Sequence, residues 1–217
     1  MYSVIILAAG KGSRLNLGYN KVFYEIKGKE ILEYSVDYFL KDSAFSEIIV
    51  VTNDRDLNHV KELLAKKDVI ITLGGITRQE SVYNGLKKVN NKYVMIHDGA
   101  RPFIDKKDID NLKKEVKENA CVLAKKIKES LAKTSFGNLK SYLNREEYCF
   151  LQTPQAFDTD KIFKAYELAK THENTYTDDA SLYMEELSET VKVIEGNELN
   201  IKLTTELDLR ILEVVLW

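Results

Sequence analysis

Apolar and polar positions alternate along this chain with two different periods, and the alternation predicts an α/β architecture. Short apolar runs such as residues 4–7 are typical of inner strands in a parallel sheet that is covered on both faces. Longer segments between these runs repeat at helical spacing. The clearest of them, residues 30–40, places five positions on one face: Ile31, Leu32, Ser35, Val36 and Phe39. Strands and helices in this order predict an open, mostly parallel sheet flanked by helices.

The same periods predict the other elements. Further strands are expected at residues 47–52, 69–73, 93–97, 120–124, 191–195 and 200–204. Further helices are expected at residues 57–64, 77–89, 105–116, 160–172, from about 177 onward and at 207–215. Ligands of such sheets bind beyond the carboxyl ends of the strands, so functional residues are expected directly after strands.

Residues 125–148 break this pattern because they are polar, with only short β-prone pieces. Gly137 and Asn138 supply a plausible hairpin turn within them. The stretch has too little apolar content for a core of its own, which favours a protruding β-arm at about residues 125–150 that covers another subunit; a surface excursion is the alternative. We therefore expect one domain over residues 1–217 with a dimerisation arm.

Composition and charge narrow the class of protein. The 217 residues carry 32 Lys and Arg against 34 Asp and Glu, a net charge of −2, which gives no global attraction to nucleic acid or to a membrane surface. No leader-like segment and no apolar run of membrane-spanning length is present, so a cytoplasmic protein is expected. The two cysteines lack CxxC spacing and are expected to be reduced thiols. Because the net charge is close to zero, any anion-binding site must come from a local group of basic residues.

A loop suited to phosphate follows the first strand. It contains four residues with almost no side chain: Ala8, Ala9, Gly10 and Gly12. Backbone N–H groups in such a loop can approach an anion closely, and Arg14 and Lys21 can supply fixed positive charge. Lys202 is a third basic residue expected at this cradle. A tight strand-to-helix turn with solvated basic side chains is the alternative.

A second candidate site follows the strand at residues 69–73. Gly74 and Gly75 precede a helix start that is capped by Thr77 and carries Arg78 and Ser81 in its first turn. Glycines ahead of a helix N-terminus suit an anion or a ribose. A well-capped helix start without a ligand is the other interpretation.

A third candidate site follows the strand at residues 93–97. Asp98 and Gly99 at its end are placed to meet a metal-bound triphosphate, and Arg101 can pair with Asp98 or with a substrate. A purely structural ion pair between Asp98 and Arg101 is the alternative. His97 is expected to be packed or hydrogen-bonded rather than to act as a base.

Together these segments resemble the 2-C-methyl-D-erythritol 4-phosphate cytidylyltransferases over nearly all 217 residues. The motifs that carry the resemblance are residues 7–15, Lys21, Gly74 and Gly75 with Arg78 and Ser81, residues 97–102, 153–155, 177–181 and 200–202. The resemblance implies a Rossmann-like nucleotidyltransferase fold. It also implies a homodimer that transfers CMP from CTP to a polyol phosphate with magnesium or another divalent cation, releases pyrophosphate, and belongs to non-mevalonate isoprenoid biosynthesis.

The resemblance also implies residue roles. Arg14, Lys21 and Lys202 would be catalytic because they stabilise the charge that develops during attack on the α-phosphorus. The implied nucleotide-binding residues are Ala8, Ala9, Gly10, Gly12, Gly75, Ser81, Asp98 and Gly99, with Asp98 also near the metal. The implied acceptor-binding residues are Arg101, Ser130, Arg145 and Thr153. Ser130 and Arg145 would act from the arm across the dimer interface.

The sequence departs from the family pattern at three places. The family usually has proline where Asn20 stands, an acid where Ile76 stands, and Asp-Thr where residues 129–130 are Glu-Ser. Because the last change lies in the arm, cytidylyl transfer to ribitol 5-phosphate or another polyol phosphate stays open as the alternative. A non-catalytic nucleotide-binding module is a more distant one, and it predicts lost cations or a missing arm.

Overall fold

The computed structural model describes residues 1–10, 15, 18–171, 174 and 176–216. In this part of the chain the strands are β1 (Tyr2–Leu7), β2 (Glu25–Ile26), β3 (Lys29–Glu30), β4 (Phe45–Thr52), β5 (Ile70–Leu73), β6 (Tyr93–Asp98), β7 (Cys121–Lys126), β8 (Leu131–Ser135), β9 (Asn138–Leu143), β10 (Cys149–Asp158) and β11 (Lys192–Glu195). The helices there are α1 (Ile31–Lys41), α2 (Leu57–Leu63), α3 (Arg78–Leu86), α4 (Lys106–Glu115), α5 (Thr159–Ala169), α6 (Asp179–Leu187) and α7 (Glu206–Val215).

The central sheet of the described residues has seven strands in the order β11-β7-β10-β6-β1-β4-β5. Neighbours are parallel except around β10, which runs antiparallel to both β6 and β7. The predicted fold class, a mostly parallel sheet flanked by helices, is confirmed. None of the helices in the described residues has the length and apolar content that crossing a bilayer requires.

The core lies in two layers, one on each face of the sheet. Val4 and Ile6 of β1 pack into the layer with α1, α2, α4 and α7, whereas Ile5 packs into the layer with α3, α5 and α6. Alternate side chains of a strand point to opposite faces, so a continuous apolar run is what two covered faces require. Each isoleucine fully buried in this way stabilises the fold by about 1.5–3 kcal/mol.

The register of the parallel strands brings their carboxyl ends to one edge of the sheet. Leu7 at the end of β1 pairs with both Val51 of β4 and Asp98 of β6, and Thr52 pairs with Leu73 of β5. The three candidate segments that follow β1, β5 and β6 therefore meet at the same edge. This edge is where ligands of open α/β sheets bind.

The predicted polar arm contains the hairpin β8–β9, but its turn differs from the prediction. Phe136 and Gly137 are the central turn residues, both with positive φ, of +48° and +77°. Asn138, predicted as part of the turn, instead pairs with Ser135 as the first residue of β9. Two successive residues with positive φ match the twist of paired strands, which is why the turn lies one position earlier.

The strand predicted at residues 200–204 is wrong, since this segment forms no strand and does not join the sheet. Its backbone groups bind to other segments: the Leu203 N–H donates to Ala100 O at 2.8 Å, and two side chains donate to the carbonyl group of Asn200. Asn200 O accepts from Arg101 Nη1 at 2.8 Å and from Gln152 Nε2 at 3.3 Å. Only tertiary contacts could supply these partners, so the local β propensity was misleading.

Gly85 of α3 is packed so closely on β1 and β4 that a side chain there is expected to destabilise the fold. An added Cβ would lie 2.8 Å from Ile5 Cγ2 and 3.1 Å from Val51 Cγ2. We expect Gly85→Ala to destabilise the protein by about 1 kcal/mol, the balance of about 1–3 kcal/mol of overpacking and roughly 1 kcal/mol gained in helix propensity. Urea unfolding measures this change. Asn84→Ala, one position away and half-exposed, is the matched control and should not destabilise; a stabilised Gly85→Ala protein would contradict the packing argument.

Candidate functional site

A carboxylate at the end of β6 lies among three cations. Asp98 Oδ2 is 2.8 Å from Lys202 Nζ and 3.7 Å from Arg101 Nε, and Asp98 Oδ1 is 3.8 Å from Arg78 Nη2. Asp98 is 8% exposed. Burial raises the pKa of Asp98, but the charges of Lys202, Arg78 and Arg101 outweigh burial and hold this pKa well below its usual range. The carboxylate is therefore ionised at neutral pH, and Lys202 is a closer partner than the predicted Arg101.

Thr153 connects Asp98 to the buried His97. Thr153 Oγ1 accepts from the Asp98 N–H at 3.0 Å and donates to His97 Nδ1 at 3.2 Å, because the neutral imidazole carries its proton on Nε2, which faces a carbonyl oxygen. The other ring nitrogen, Nε2, then donates to Arg101 O at 3.0 Å. Burial lowers the pKa of His97 to about 4. A neutral imidazole with both nitrogens engaged agrees with the expectation that His97 is not a base, and Thr153 acts here by orienting Asp98.

Arg78 is held by a fully buried carboxylate on α6. Its Nη1 and Nη2 donate to Asp179 Oδ1 at 2.9 Å and Oδ2 at 2.7 Å, and Tyr166 OH donates to the same Oδ1 at 2.6 Å. Asp179 is 0% exposed. Burial lowers the pKa of Arg78, but the charge of Asp179 outweighs burial and raises it above its usual value. A bidentate pair of this kind fixes the guanidinium plane, so Arg78 is a rigid group beside Asp98.

The loop between β5 and α3 is folded back onto the helix start. Ser81 Oγ accepts from the Gly75 N–H at 3.1 Å and donates to Thr77 O at 2.8 Å. The capping box of Thr77 and Glu80 is confirmed. A Cβ on Gly74 would lie 2.6 Å from Ser81 Oγ, and one on Gly75 would overlap the Glu80 side chain. The glycines are therefore required for this close approach, and Ser81 shapes the loop whose ligand role stays a prediction.

The cradle after β1 begins with two small residues whose carbonyl groups are bound by side chains. Asn20 Nδ2 donates to Ala8 O at 2.7 Å, and Asn53 Nδ2 donates to Ala9 O at 3.3 Å. Ala8 is buried and Gly10 is exposed. These contacts fix the direction in which the chain leaves the sheet.

Lys21 lies at the other end of the cradle. It opens a short 3₁₀ turn, Lys21–Phe23, that Asn20 caps by accepting from the Val22 N–H. The predicted Gly12 and Arg14 lie outside the described residues. The structure therefore describes the two ends of the cradle, and the Asn20 side chain contacts both, through Ala8 O at one end and the Val22 N–H at the other.

Gly99 brings the ends of β1 and β6 together. Its N–H donates to Leu7 O at 2.9 Å, and a Cβ at this position would lie 2.9 Å from the same oxygen. The backbone approach leaves no room for a side chain. Gly99 therefore sets the distance between the cradle and Asp98.

Ser130 and Arg145 lie at the root of the arm. Ser130 is exposed, and Arg145 Nη1 donates to Lys128 O at 2.5 Å. Arg145 also lines a cleft of about 380 Å³ that includes Lys125 and Lys126. Among the described residues, no hydrogen bond or ion pair joins Ser130 or Arg145 to the Asp98 cluster, so the predicted acceptor residues are not brought together within one chain.

Asp98 is the carboxylate that could hold a metal at this edge. Within the described ranges, no group of three or more His, Cys, Asp or Glu side chains forms a metal site. Magnesium commonly binds through one or two carboxylates and completes its shell with water and substrate phosphates. Asp98 as a single protein ligand fits a cation that arrives together with a triphosphate, since both oxygens of Asp179 are bound by Arg78.

Among the described residues, Asn53, Asp56 and Asp179 contribute to the site although the sequence analysis gave them no role. Asn53 directly follows β4, so the rule that functional residues follow strands could have found it. Asp179 lies in residues 177–181, a segment that carries the family resemblance but in which Asp179 was given no role of its own. Its partner Arg78 is 101 positions away in sequence, which leaves no local signal.

Comparisons with known proteins give matches over the full length of the chain. A family model described as IspD, 2-C-methyl-D-erythritol 4-phosphate cytidylyltransferase, matches residues 2–217. Proteins named 2-C-methyl-D-erythritol 4-phosphate cytidylyltransferase from Halalkalibacterium halodurans and Clostridioides difficile are 39% and 38% identical, over 99% and 100% of this chain and 96% and 94% of their own. A crystal structure described as 4-diphosphocytidyl-2C-methyl-D-erythritolsynthase from Anaerococcus prevotii is 32% identical, has a TM-score of 0.88, and covers 100% of this chain and 96% of its own.

The ion pair between Arg78 and Asp179 predicts a large difference in stability between two variants, one that removes the charge of Asp179 and one that removes its hydrogen bond from Tyr166. Asp179→Asn keeps the shape but removes the charge that pairs with Arg78, and we expect it to destabilise the ligand-free protein by about 2–4 kcal/mol. The loss stays below that of a fully buried pair because Arg78 keeps some contact with solvent. Tyr166→Phe removes one hydrogen bond and should cost about 1 kcal/mol. Chemical denaturation measures both. Equal losses would show that the charge of Asp179 has no special role.

Proposed function

The chain belongs to the 2-C-methyl-D-erythritol 4-phosphate cytidylyltransferase family, and we propose that it transfers CMP from CTP to 2-C-methyl-D-erythritol 4-phosphate in non-mevalonate isoprenoid biosynthesis. The observation that carries the proposal is the Lys202–Asp98 pair, 2.8 Å apart at the carboxyl edge of the sheet beside the cradle. A cation held at this edge, beyond a loop of small residues, suits a triphosphate. The activity named for the relatives supplies the acceptor.

In the proposed reaction, a phosphate oxygen of the acceptor attacks the α-phosphorus of CTP in line. The new bond is between that oxygen and the α-phosphorus, the bond from the α-phosphorus to the bridging oxygen breaks, and pyrophosphate leaves with the electron pair. Arg14, Lys21 and Lys202 stabilise the negative charge that develops, so no covalent nucleophile is required. Asp98 fixes the Lys202 ammonium at a defined position before substrate arrives.

We further propose that Asp98 holds magnesium or another divalent cation that enters with CTP. Such a cation, when bound, neutralises phosphate charge and orients the triphosphate. The hydrogen bond from Asp98 N–H to Thr153 and the pairing with Lys202 hold the carboxylate in place. The loop of Gly75 and Ser81, together with Gly99, would border the nucleoside.

The acceptor is proposed to bind between two groups of residues. Arg101 is largely buried and donates to Asn200 O, and the Asn200 side chain donates to Thr153 O, so Arg101 acts as a fixed positive charge linked to Thr153 through Asn200. Arg145 and Ser130 are proposed to reach the acceptor of a second subunit, since an arginine fork suits a phosphate.

A homodimer formed through the arm at about residues 125–150 is part of the proposal, with residues 1–217 as one domain. The arm exposes several large apolar side chains, namely Phe136, Leu139, Tyr142, Tyr148 and Phe150. Apolar surface of this kind gains stability when another chain covers it. We propose the cytoplasm as the location, with CTP and the polyol phosphate as ligands and with neither nucleic acid nor a membrane as a partner.

The acceptor is tested by incubating the protein with CTP, magnesium and each of several polyol phosphates. We expect pyrophosphate release and a CDP-alcohol with 2-C-methyl-D-erythritol 4-phosphate, at a kcat/KM at least about tenfold above that with ribitol 5-phosphate. Lys202→Met keeps the side-chain length without the charge and serves as the control for contaminating activity. Turnover with ribitol 5-phosphate alone would refute the acceptor, and no turnover with any of them would favour the non-catalytic alternative.

The shared site is tested by mixing two inactive variants. Lys21→Ala and Arg145→Ala should restore activity after subunit exchange, because the core of one subunit and the arm of the other then form an intact site. Random exchange leaves about a quarter of the sites complete, half of the dimers being mixed and each mixed dimer having one intact site. Mixing Lys21→Ala with Lys202→Ala is the matched control, since both changes affect the core. Recovery in the control, or none in the test after exchange is verified, would contradict the arrangement.

A further inference from the structure

The carbonyl groups of Ala8 and Ala9, where the chain leaves β1, are held by two side-chain amides that share one carboxylate. Asn20 Nδ2 donates to Ala8 O at 2.7 Å, and Asn53 Nδ2 donates to Ala9 O at 3.3 Å. Both amides also donate to Asp56 Oδ2, at 3.1 Å and 2.7 Å respectively. We refer to Asn20, Asp56 and Asn53 as the amide clamp.

In the amide clamp, Asn20 and Asp56 are buried, Asn53 is half-buried, and the side-chain amides use both their donors and their acceptors. Asn20 Oδ1 accepts from the Val22 N–H at 3.4 Å, and Asn53 Oδ1 accepts from the Asp56 N–H at 2.9 Å. Asn20 and Asp56 are 1% and 8% exposed. Burial raises the pKa of Asp56, but hydrogen bonds from Arg55, Asn20 and Asn53 outweigh it and hold the pKa below its ordinary value. A fully satisfied buried network of this kind is rigid.

The amide clamp determines which side of the cradle presents N–H groups. A trans peptide group is planar, and its N–H points opposite to its C=O. Because the carbonyl groups of Ala8 and Ala9 point to the clamp, the N–H groups of Ala9 and Gly10 point away from it. Two successive N–H groups directed alike form a concave site for an anion.

Asn20 also connects the amide clamp to Lys21. Its backbone oxygen accepts from the Phe23 N–H at 3.0 Å, and its side chain caps the turn that Lys21 opens. The side-chain bonds of Asn53, in contrast, go to Ala9 and to Asp56. The two amides therefore share a carboxylate but serve different ends of the cradle.

We propose that the amide clamp is a set of positioning residues, in which Asn20 and Asn53 orient the anion-binding N–H groups of the cradle and Asn20 additionally places the Lys21 ammonium. The Lys21 part rests on the proposed function. The claim that Asn20 and Asn53 orient the N–H groups of the cradle requires only that the loop binds an anion.

Three variants separate these parts, with inorganic triphosphate and CTP as probes. Asn20→Ala and Asn53→Ala should each weaken triphosphate binding about tenfold by calorimetry, because one cradle carbonyl group is released in each case. Asn20→Ala should also lower kcat about 100-fold, the effect of a displacement of about 1 Å, whereas Asn53→Ala should lower it at least tenfold less. Asn20→Pro should behave as Asn20→Ala, because φ of −70° suits a proline ring but the amide is lost. All rates are taken at a temperature at which thermal denaturation shows each variant to be folded.

A conservative pair at Asp56 distinguishes positioning from general stability. Asp56→Asn keeps an oxygen for the two amides and should retain most triphosphate binding, whereas Asp56→Ala should lose as much as both amide variants. Asn20→Pro with wild-type binding and kcat would overturn the proposal, since only the backbone angle would then matter. Equal kcat in Asn20→Ala and Asn53→Ala would overturn the link to Lys21. If Lys21→Ala keeps the wild-type kcat, the proposed function of Lys21 fails, while the triphosphate measurements still decide the cradle part.

Discussion

The pairing of one buried carboxylate with several cations determines how the edge of this sheet is built. Asp98 lies at the end of β6, and without its charge Arg78, Arg101 and Lys202 would repel one another in a poorly solvated place. With Asp179 included, three cations face two carboxylates, so the cluster keeps a net positive charge. That surplus can attract a polyphosphate, while the carboxylates keep each cation in a fixed position.

Strand order explains how distant segments reach this cluster. Parallel pairing of β6 with β1 places Asp98 beside the cradle, and Gly99 lets the two backbones approach. The antiparallel strand β10 lies on the other side of β6, and there Thr153 receives the Asp98 N–H. The segment after β11 then brings Lys202 to the same carboxylate. Parallel pairing, antiparallel pairing and the segment after β11 therefore all place residues around Asp98.

The elements were largely predictable because burial leaves a periodic trace in the sequence. All five positions predicted for one face of the first long helix, residues 30–40, are the buried positions of α1. Thr77 also caps α3 as predicted, and the helix predicted at residues 105–116 is α4, which Asp105 caps. Two predictions failed. The hairpin turn lies at Phe136 and Gly137, where the backbone takes positive φ, and residues 200–204 form no strand because Asn200 O and the Leu203 N–H bind to remote segments instead.

By itself, the sequence determined the class of fold, the family resemblance and the small residues and cations expected after the strands, because each of these is written in local residue types and spacing. Tertiary structure alone decided the partners of those charges. Lys202 pairs with Asp98, Arg78 is fixed by Asp179, and Asn20 joins the cradle to Asp56. The physical reason is that a hydrogen bond or an ion pair depends on distances of a few ångströms between groups that lie far apart in sequence, and the register of the sheet sets those distances.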